Sequence, residues 1–326
     1  MLLLKLIAGL LAGGVVLALV AAGVTLLIAA RIDARYPPAG PFASVTGGRI
    51  GTIQAGPNPS ARGTVVLLHG ASANAADPMA DLGRRLAAEG FRVVALDRPG
   101  FGWSDRLTGG AMATPKAQAA AIAEALANLG VGPSLIVGHS WAGALATALA
   151  LDHPDRVAGL VLLAPAVMPL PALGPIPWYY RLALVPPVTW LLSRTVATPI
   201  GLYYLAPAGR SVFRPQEAPA GYLEASRAAL VLRPATMLAN VQDLMALPEA
   251  LTRQSAAYDR ITAPTVIITG DRDGIVPADR HARPLAHLIP VARLVVLPGI
   301  GHMVHVVATQ AVVDEVVRLA ESAPAP

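Results

Sequence analysis

A serine stands between two small residues at positions 138–143, which read GHSWAG. The apolar run before it predicts a buried strand, and the run after it predicts a helix. A Gly-x-Ser-x-Gly turn between a strand and a helix exposes its serine hydroxyl as a nucleophile. Ala142 takes the place of the second glycine, where one methyl group is tolerable. The motif predicts Ser140 as a nucleophile, against the alternative of an ordinary strand–helix connection.

A serine nucleophile needs a base, and the base needs an acid that orients it. His302 follows the last predicted strand in the glycine-rich loop LPGIGH, and His305 lies one turn further on, where a helix is expected. Asp271 and Asp273 both follow the strand before that one. We predict His302 as the base and Asp273, rather than Asp271, as the acid. The alternative is that both carboxylates are solvated turn formers.

An oxyanion hole needs two backbone N–H groups that point at one position. Trp141 directly follows the serine at the predicted helix N-terminus, and its N–H is the first candidate. The second candidate is the N–H of Ala71, in the loop after the predicted strand VVLLHG. We expect these two backbone groups to bind the developing negative charge.

The composition argues against several other classes of chemistry. The chain has 326 residues and no cysteine, which excludes disulfides, thiolate nucleophiles and cysteine-bound metals. The histidines are mostly far apart, so no metal site is predicted, and no glycine-rich phosphate loop indicates a cofactor. The net charge of +5 comes from scattered arginines. Without a basic run interleaved with aromatics, it indicates a mild preference for anionic lipid rather than nucleic acid.

The first 31 residues predict a membrane anchor. Residues 6–30 carry no charged side chain and are long enough to cross a bilayer as a helix. This run is longer than the apolar core of a signal peptide. We expect a single-pass N-terminal transmembrane helix over residues 1–31 and a linker over 32–42. The alternative is an exported protein from which a signal segment has been cleaved.

The remaining chain alternates apolar strands with helices, which predicts the α/β class, with a mostly parallel sheet flanked by helices. Two short antiparallel edge strands are expected at its start. The predicted parallel strands are residues 64–70, 92–97, 134–139, 158–164, 265–270 and 293–298.

One segment interrupts this alternation. Residues 166–260 contain no comparable strand and hold many prolines and most of the aromatic residues, including 178–180, Trp190 and 203–204. We predict a mostly helical insertion between two strands of the sheet. The core is then formed by residues 43–165 and 261–326.

Together these motifs resemble the α/β-hydrolase superfamily. The matching stretches are LLHG at 67–70, LDRPGFGWSD at 96–105, VGHSWAG at 137–143, GDRDGIVP at 270–277 and PGIGH at 298–302. The resemblance implies an α/β-hydrolase fold in which residues 166–260 form a helical lid inserted after the sixth strand. It also implies Ser140 as nucleophile, Asp273 as acid and His302 as base. The second stretch is similar to that of epoxide hydrolases, haloalkane dehalogenases and carbon–carbon bond hydrolases. The first two groups use Asp as nucleophile, so Ser140 favours esterase-type chemistry.

The expected function is a membrane-anchored serine hydrolase that forms an acyl-enzyme on Ser140. Its expected substrate is a small-to-medium hydrophobic carboxylic ester, thioester or lactone. The same three residues would also serve a carbon–carbon bond hydrolase, a haloperoxidase-like enzyme or an acyltransferase. A different class of function, a membrane-tethered binding protein on a non-catalytic hydrolase fold, stays open at this point.

Overall fold

The centre of the protein is an eight-stranded sheet in the order β1-β2-β4-β3-β5-β6-β7-β8. The computed structural model describes residues 1–169 and 184–322. Strands β1 and β2 pair antiparallel, β2 joins β4 antiparallel, and all other neighbours are parallel. The strands are β1 Phe42–Val45, β2 Gly48–Ala55, β3 Thr64–Leu68, β4 Arg92–Leu96, β5 Ser134–His139, β6 Val157–Leu163, β7 Thr265–Gly270 and β8 Ala292–Leu297.

Helices cover both faces of the sheet, as the unbroken apolar runs of its central strands require. Helices α4, α5 and α10 pack on one face, and α3, α11 and α12 pack on the other. The helices are α1 Leu2–Arg35, α2 Ala76–Pro78, α3 Arg84–Ala88, α4 Pro115–Asn128, α5 Trp141–Asp152, α6 Pro186–Arg194, α7 Ala197–Ser211, α8 Tyr222–Ala225, α9 Pro234–Gln254, α10 Ala282–Leu288, α11 Val304–Val307 and α12 Thr309–Ser322.

The predicted fold class is confirmed. Each of the six predicted parallel strands overlaps a strand of the sheet, and the two expected edge strands are β1 and β2. The run predicted at 64–70 ends earlier, at Leu68, because His69 and Gly70 leave the ladder to begin the loop beside the serine turn. All parallel strands therefore end at one edge, where Ser140, Asp273 and His302 follow β5, β7 and β8.

Between β6 and β7 the described residues form the helical lid, which comprises α6, α7, α8 and α9. The aromatic run predicted to belong to it at 178–180 lies outside the described residues. Helix α9 is the longest lid helix and contacts the loop that follows β4, so the lid rests on the carboxyl edge of the sheet. The lid thus covers the edge at which the candidate side chains emerge.

Helix α1 is longer than the predicted anchor and continues to Arg35, four residues into the predicted linker. Its last turns stay helical because Ile32 is buried against Leu230 and Leu232 of the lid. Among the described residues, α1 is the one helix long and apolar enough to cross a membrane, judged by length and composition.

His281 fastens the start of the lid. Its Nδ1 accepts hydrogen bonds from the backbone N–H groups of Val167 at 3.3 Å and Met168 at 3.1 Å. Both bonds need the neutral ring. Burial, together with the charge of Arg280, lowers the pKa of His281 to about 4.

This contact predicts a pH dependence of stability. An unfolded chain protonates a histidine near pH 6.5, whereas the folded protein resists protonation of His281 until about pH 4. Stability therefore falls as the pH falls through this window. We expect His281→Gln, which keeps an acceptor but does not titrate, to lose less melting temperature than wild type between pH 7 and pH 5. Parallel thermal melts in detergent test this, and equal losses for the two proteins would contradict it.

Candidate active site

The turn between β5 and α5 holds Ser140 in a strained conformation, with φ at +54° and ψ at −117°. Positive φ is unfavourable for a residue with a side chain and persists only where neighbouring contacts enforce it. The Ser140 N–H donates to the carbonyl of Leu163 at 2.9 Å, and the Ser140 carbonyl accepts from Gly143 and Ala166 at 2.9 and 3.0 Å. These three hydrogen bonds fix the backbone of Ser140 at both its N–H and its carbonyl group.

Two glycines let the turn close. A Cβ on Gly138 would lie 2.5 Å from the carbonyl oxygen of Ala142, and one on Gly143 would lie 2.5 Å from Cβ of Pro165. Ala142 itself is fully buried and fits. The second essential glycine of this turn is therefore Gly143, one residue later than the motif places it.

Asp273 and His302 form a buried pair beside this turn. The Nδ1 atom of His302 lies 2.8 Å from Oδ2 of Asp273, and the two residues are 5% and 6% exposed. The other carboxylate oxygen of Asp273 accepts from the N–H groups of Ile275 and Val276, both at 2.8 Å. The two N–H groups thus hold the carboxylate so that its Oδ2 atom faces His302.

The alternative acid and the alternative base have other partners. Asp271 is exposed, and its carboxylate accepts from the N–H of Gly299 at 2.6 Å. His305 lies in α11, and its Nε2 is 3.2 Å from Oδ2 of Asp77. Neither residue takes part in the pair formed by His302.

Close backbone packing sets the position of the two loops that carry the pair. A Cβ on Gly270 would lie 2.0 Å from the carbonyl oxygen of Ile300, and one on Gly301 would lie 2.1 Å from that of Arg214. The Gln216 side chain also accepts from the N–H of Gly301 at 2.9 Å and donates to the carbonyl of Gly299 at 2.6 Å. The segment between α7 and α8 therefore holds the histidine loop in place.

The two backbone groups predicted for the oxyanion hole lie on either side of Ser140. Trp141 is the first residue of α5, so its N–H has no acceptor within the helix. Ala71 follows Gly70, whose Cβ would lie 3.2 Å from that of Ser140. Within residues 1–169 and 184–322, neither N–H donates to a protein acceptor.

Ser140 and His302 line one pocket of about 450 Å³ between the sheet edge and the lid. Ala71 lines it too, and the lid contributes mainly apolar side chains of α7 and of residues 228–232. No hydrogen bond joins the Ser140 hydroxyl to His302 in the described part of the chain. Such bonds are often long before substrate binds and tighten in the reacting complex.

Residues 63–309 match the family model described as alpha/beta hydrolase fold. The matched segment covers more than half of the chain and contains the serine turn, the Asp–His pair and both backbone donors. The chain belongs to the α/β-hydrolase family. This membership confirms the resemblance predicted from the sequence motifs.

Known proteins similar to this α/β-hydrolase include two curated relatives named 2-hydroxy-6-oxononadienedioate/2-hydroxy-6-oxononatrienedioate hydrolase. The protein from Cupriavidus pinatubonensis is 29% identical over 251 residues, which cover 73% of this chain and 80% of the relative. The protein from Burkholderia vietnamiensis is 39% identical over 104 residues, 30% of this chain but only 35% of the relative. The structure of an esterase from Exiguobacterium antarcticum matches with a TM-score of 0.69 at 23% identity, covering 87% of this chain and 100% of that one.

A second buried polar cluster lies beside the Asp273–His302 pair of this hydrolase, and the sequence motifs did not indicate it. Asp77 receives a hydrogen bond from Tyr222 at 2.7 Å and lies against His305. His139 donates through Nε2 to the carbonyl of His302 at 3.1 Å, and its ring centroid lies 4.3 Å from that of His305. Asp77, His139 and Tyr222 line the pocket.

Burial and charge act in opposite directions within this cluster. Burial by itself raises the pKa of Asp77, but the charge and hydrogen bond of His305, with smaller contributions from His139 and Tyr222, lower it to about 2. Burial and the neighbouring histidines lower the pKa of His139 well below its usual value. One potential ligand atom each of Asp77, His139 and His305 lies within 4.8 Å of the others, a spacing that could hold a cation. Hydrogen bonds within the cluster already engage all three side chains.

A buried ion-pair network joins the lid of this hydrolase to the serine turn. Asp243 of α9 accepts from Arg98 at 2.6 Å, Arg106 at 2.7 Å and Gln118 at 2.8 Å. Burial lowers the pKa of Arg98 to about 10, so the guanidinium stays charged at pH 7. It lies 3.9 Å from the ring centre of Trp141. Sequence reading missed Asp243, because no local pattern shows that a lid carboxylate meets an arginine 145 residues earlier.

Removal of this carboxylate tests the network. Asp243→Ala leaves Arg98 buried without its counter-charge, and we expect a loss of about 3–5 kcal/mol in the free energy of unfolding. Glu249→Ala is the matched control, since Glu249 lies exposed on the same helix and its loss should change stability by less than about 0.5 kcal/mol. Chemical denaturation in detergent measures both variants. Equal effects would contradict the role assigned to Asp243.

Proposed function

We propose that this α/β-hydrolase is a serine hydrolase of hydrophobic esters, thioesters or lactones. The observation that carries the proposal is the strained turn of Ser140 in the same pocket as His302, which is paired with Asp273. A nucleophile, a base and an acid that orients the base are the three groups that acyl transfer to serine needs.

The reaction proceeds through an acyl-enzyme. His302 takes the hydroxyl proton as Ser140 attacks the substrate carbonyl, and Asp273 stabilises the imidazolium that forms. The N–H groups of Ala71 and Trp141 donate to the oxyanion of the tetrahedral intermediate. His302 then gives its proton to the leaving alkoxide or thiolate. A water activated by the same histidine attacks the ester carbonyl and releases the acid.

The pocket lining favours a neutral, apolar substrate. No lysine or arginine is among its described lining residues, whereas Leu205, Val212, Leu223 and Leu232 are. The one carboxylate, Asp77, is held ionised by its neighbours. The two relatives named above act on dioates, which carry two carboxylate groups. A pocket with a fixed negative charge and no cation is poorly suited to a dianion, so we place the ester function ahead of carbon–carbon bond cleavage.

We also propose that α1 anchors the domain to a membrane. The helix presents an uninterrupted apolar run, and most of its residues before Ala18 are exposed. An apolar helix of this length is stable in lipid and unfavourable in water. The competing assignment is a signal segment that is removed on export.

A covalent probe tests the nucleophile. We expect a fluorophosphonate to label the wild-type protein and to leave Ser140→Ala unlabelled, because only an activated serine reacts. Ser211→Ala, which removes an exposed serine outside the pocket, should label like wild type. Absence of labelling on the folded wild-type protein would favour the non-catalytic binding function.

Turnover tests the base. His302→Ala should lower kcat for a p-nitrophenyl ester by roughly 10⁴-fold, as loss of a triad member does. His287→Ala is the control, since His287 is exposed on α10 and should keep full activity. If His302→Ala is folded and its kcat falls only slightly, the base must be a residue other than His302.

The mass of the mature protein tests the anchor. We expect the intact mass of protein taken from the membrane fraction to include residues 2–35, because Ile32 is part of the lid's packing. A mature chain that begins after residue 30 would overturn the anchor and support export.

A further inference from the structure

The lid carries several large apolar side chains that no described part of the protein covers. Residues 185–209 contain a single charged side chain, Arg194. Exposed apolar and aromatic side chains lie on both helices near the α6–α7 corner. We call them the lid apolar face: Trp190 at 50% exposed, Leu191 at 49%, Val196 at 38%, Ile200 at 53% and Tyr203 at 76%.

Helix α1 packs directly against this corner. The hydroxyl of Thr25 is fully buried and donates to the carbonyl of Thr195, the residue between α6 and the start of α7. The buried and half-buried positions of α1 from Ala18 to Asp33 recur every three or four residues, which makes one helix face. The lid corner and the apolar helix therefore lie side by side.

The length of α1 fixes the depth of the corner in a bilayer. A bilayer core of about 30 Å needs about 20 helical residues, and the uncharged run covers residues 6–30. Every 20-residue window within this run includes Thr25. A spanning α1 thus places Thr25, and with it Thr195, between the edge of the hydrocarbon and about 8 Å inside it. The lid cannot touch Thr25 and also stay clear of the lipid.

We propose that the lid apolar face docks in the lipid bilayer beside α1. Trp190, Leu191, Val196 and Ile200 lie within five residues of Thr195, which is at most about 8 Å along a helix. The bilayer offers these side chains the apolar surroundings that water does not.

The polar side chains near the face fit this placement. The Arg194 guanidinium lies 4.3 Å from the ring centre of Trp190, and both residue types are favoured at the level of lipid headgroups. The ion pairs of α1 with the lid, Arg233 with Asp33 and Arg35 with Glu224, come later along α1, beyond the uncharged run. The charged contacts therefore stay on the aqueous side.

The docked helix is also a wall of the pocket. Gly201, Leu205 and Ala208 of α7 line the cavity of Ser140, while Ile200 and Tyr203 of the same helix belong to the lid apolar face. A substrate dissolved in the bilayer reaches the pocket by passing this one helix. Resting on the proposed function, this assigns the substrate class as membrane-dissolved esters with a hydrophobic acyl chain.

Site-specific labelling tests the docking independently of catalysis. The chain has no cysteine, so single-cysteine variants of the full-length protein carry one label each. We expect the environment-sensitive fluorophore NBD at Leu191→Cys and Ile200→Cys, in phosphatidylcholine vesicles, to be quenched by spin-labelled lipid and protected from iodide. Val15→Cys, which lies within every spanning window of α1, is the positive control.

Lys116→Cys and Asp279→Cys are the matched exposed controls, with side chains 79% and 89% exposed on the core domain. They should be quenched by iodide and not by spin-labelled lipid. Quenching of Val15→Cys by lipid without quenching at Leu191→Cys and Ile200→Cys would overturn the docking and leave the anchor intact. Absence of lipid quenching at all three positions would overturn both.

Kinetics test the substrate route. Leu191→Gln and Ile200→Gln lie outside the pocket lining, and we expect them to keep wild-type turnover of water-soluble p-nitrophenyl acetate. For a long-chain ester dissolved in vesicles, kcat/KM should fall roughly threefold or more, because a polar side chain in the lid apolar face disfavours insertion of the lid into the hydrocarbon while α1 still anchors the chain. Equal losses on both substrates would overturn the route from the bilayer. No turnover of either ester by the wild type, with lipid quenching intact, would instead remove the proposed function and keep the docking.

Discussion

The close approach of α5 to β5 is the constraint on which the rest of the site depends. It forces Ser140 into positive φ, and the strain persists because its N–H and carbonyl are fixed by Leu163, Gly143 and Ala166. The same turn presents the N–H of Trp141 and brings the indole ring beneath Arg98. The proposed nucleophile, the proposed oxyanion donor and the attachment of the lid through Arg98 therefore all depend on one backbone contact.

The strands of the sheet and the loops that carry the candidate site could be predicted from the sequence, because short local patterns encode them. The unbroken apolar runs indicate a parallel sheet, and in such a sheet the loops after β5, β7 and β8 must meet at one edge. Of the two candidate acids, Asp273 bonds to His302 and Asp271 accepts from the N–H of Gly299, so the choice of Asp273 stays a prediction that this contact supports. The glycine requirement at Gly143 was missed, because it depends on Pro165 in the next strand's loop.

Contacts across long sequence separations could not be predicted. Asp243 bonds to Arg98, Asp77 to His305 and Gln216 to Gly301. The two residues of each pair are far apart in sequence, and no motif includes both of them. The lid was recognised only as an interruption of the strand–helix alternation. The arrangement of the lid follows from its buried ion pairs and its apolar contacts. These contacts form only after the sheet has brought the partner residues together, so the sequence alone does not indicate them.

Ile32 of α1 packs on Leu232, and Leu232 is also part of the wall facing Ser140. The N-terminal helix therefore supports one wall of the Ser140 pocket, in addition to the anchoring proposed for it. A chain shortened to remove α1 would expose Leu230 and leave Thr195 without its hydroxyl partner, so that its cavity would have a different shape. Acyl-chain preferences measured on such a shortened form would describe that altered cavity, and selection acting on this helix is expected to act on substrate preference at the same time.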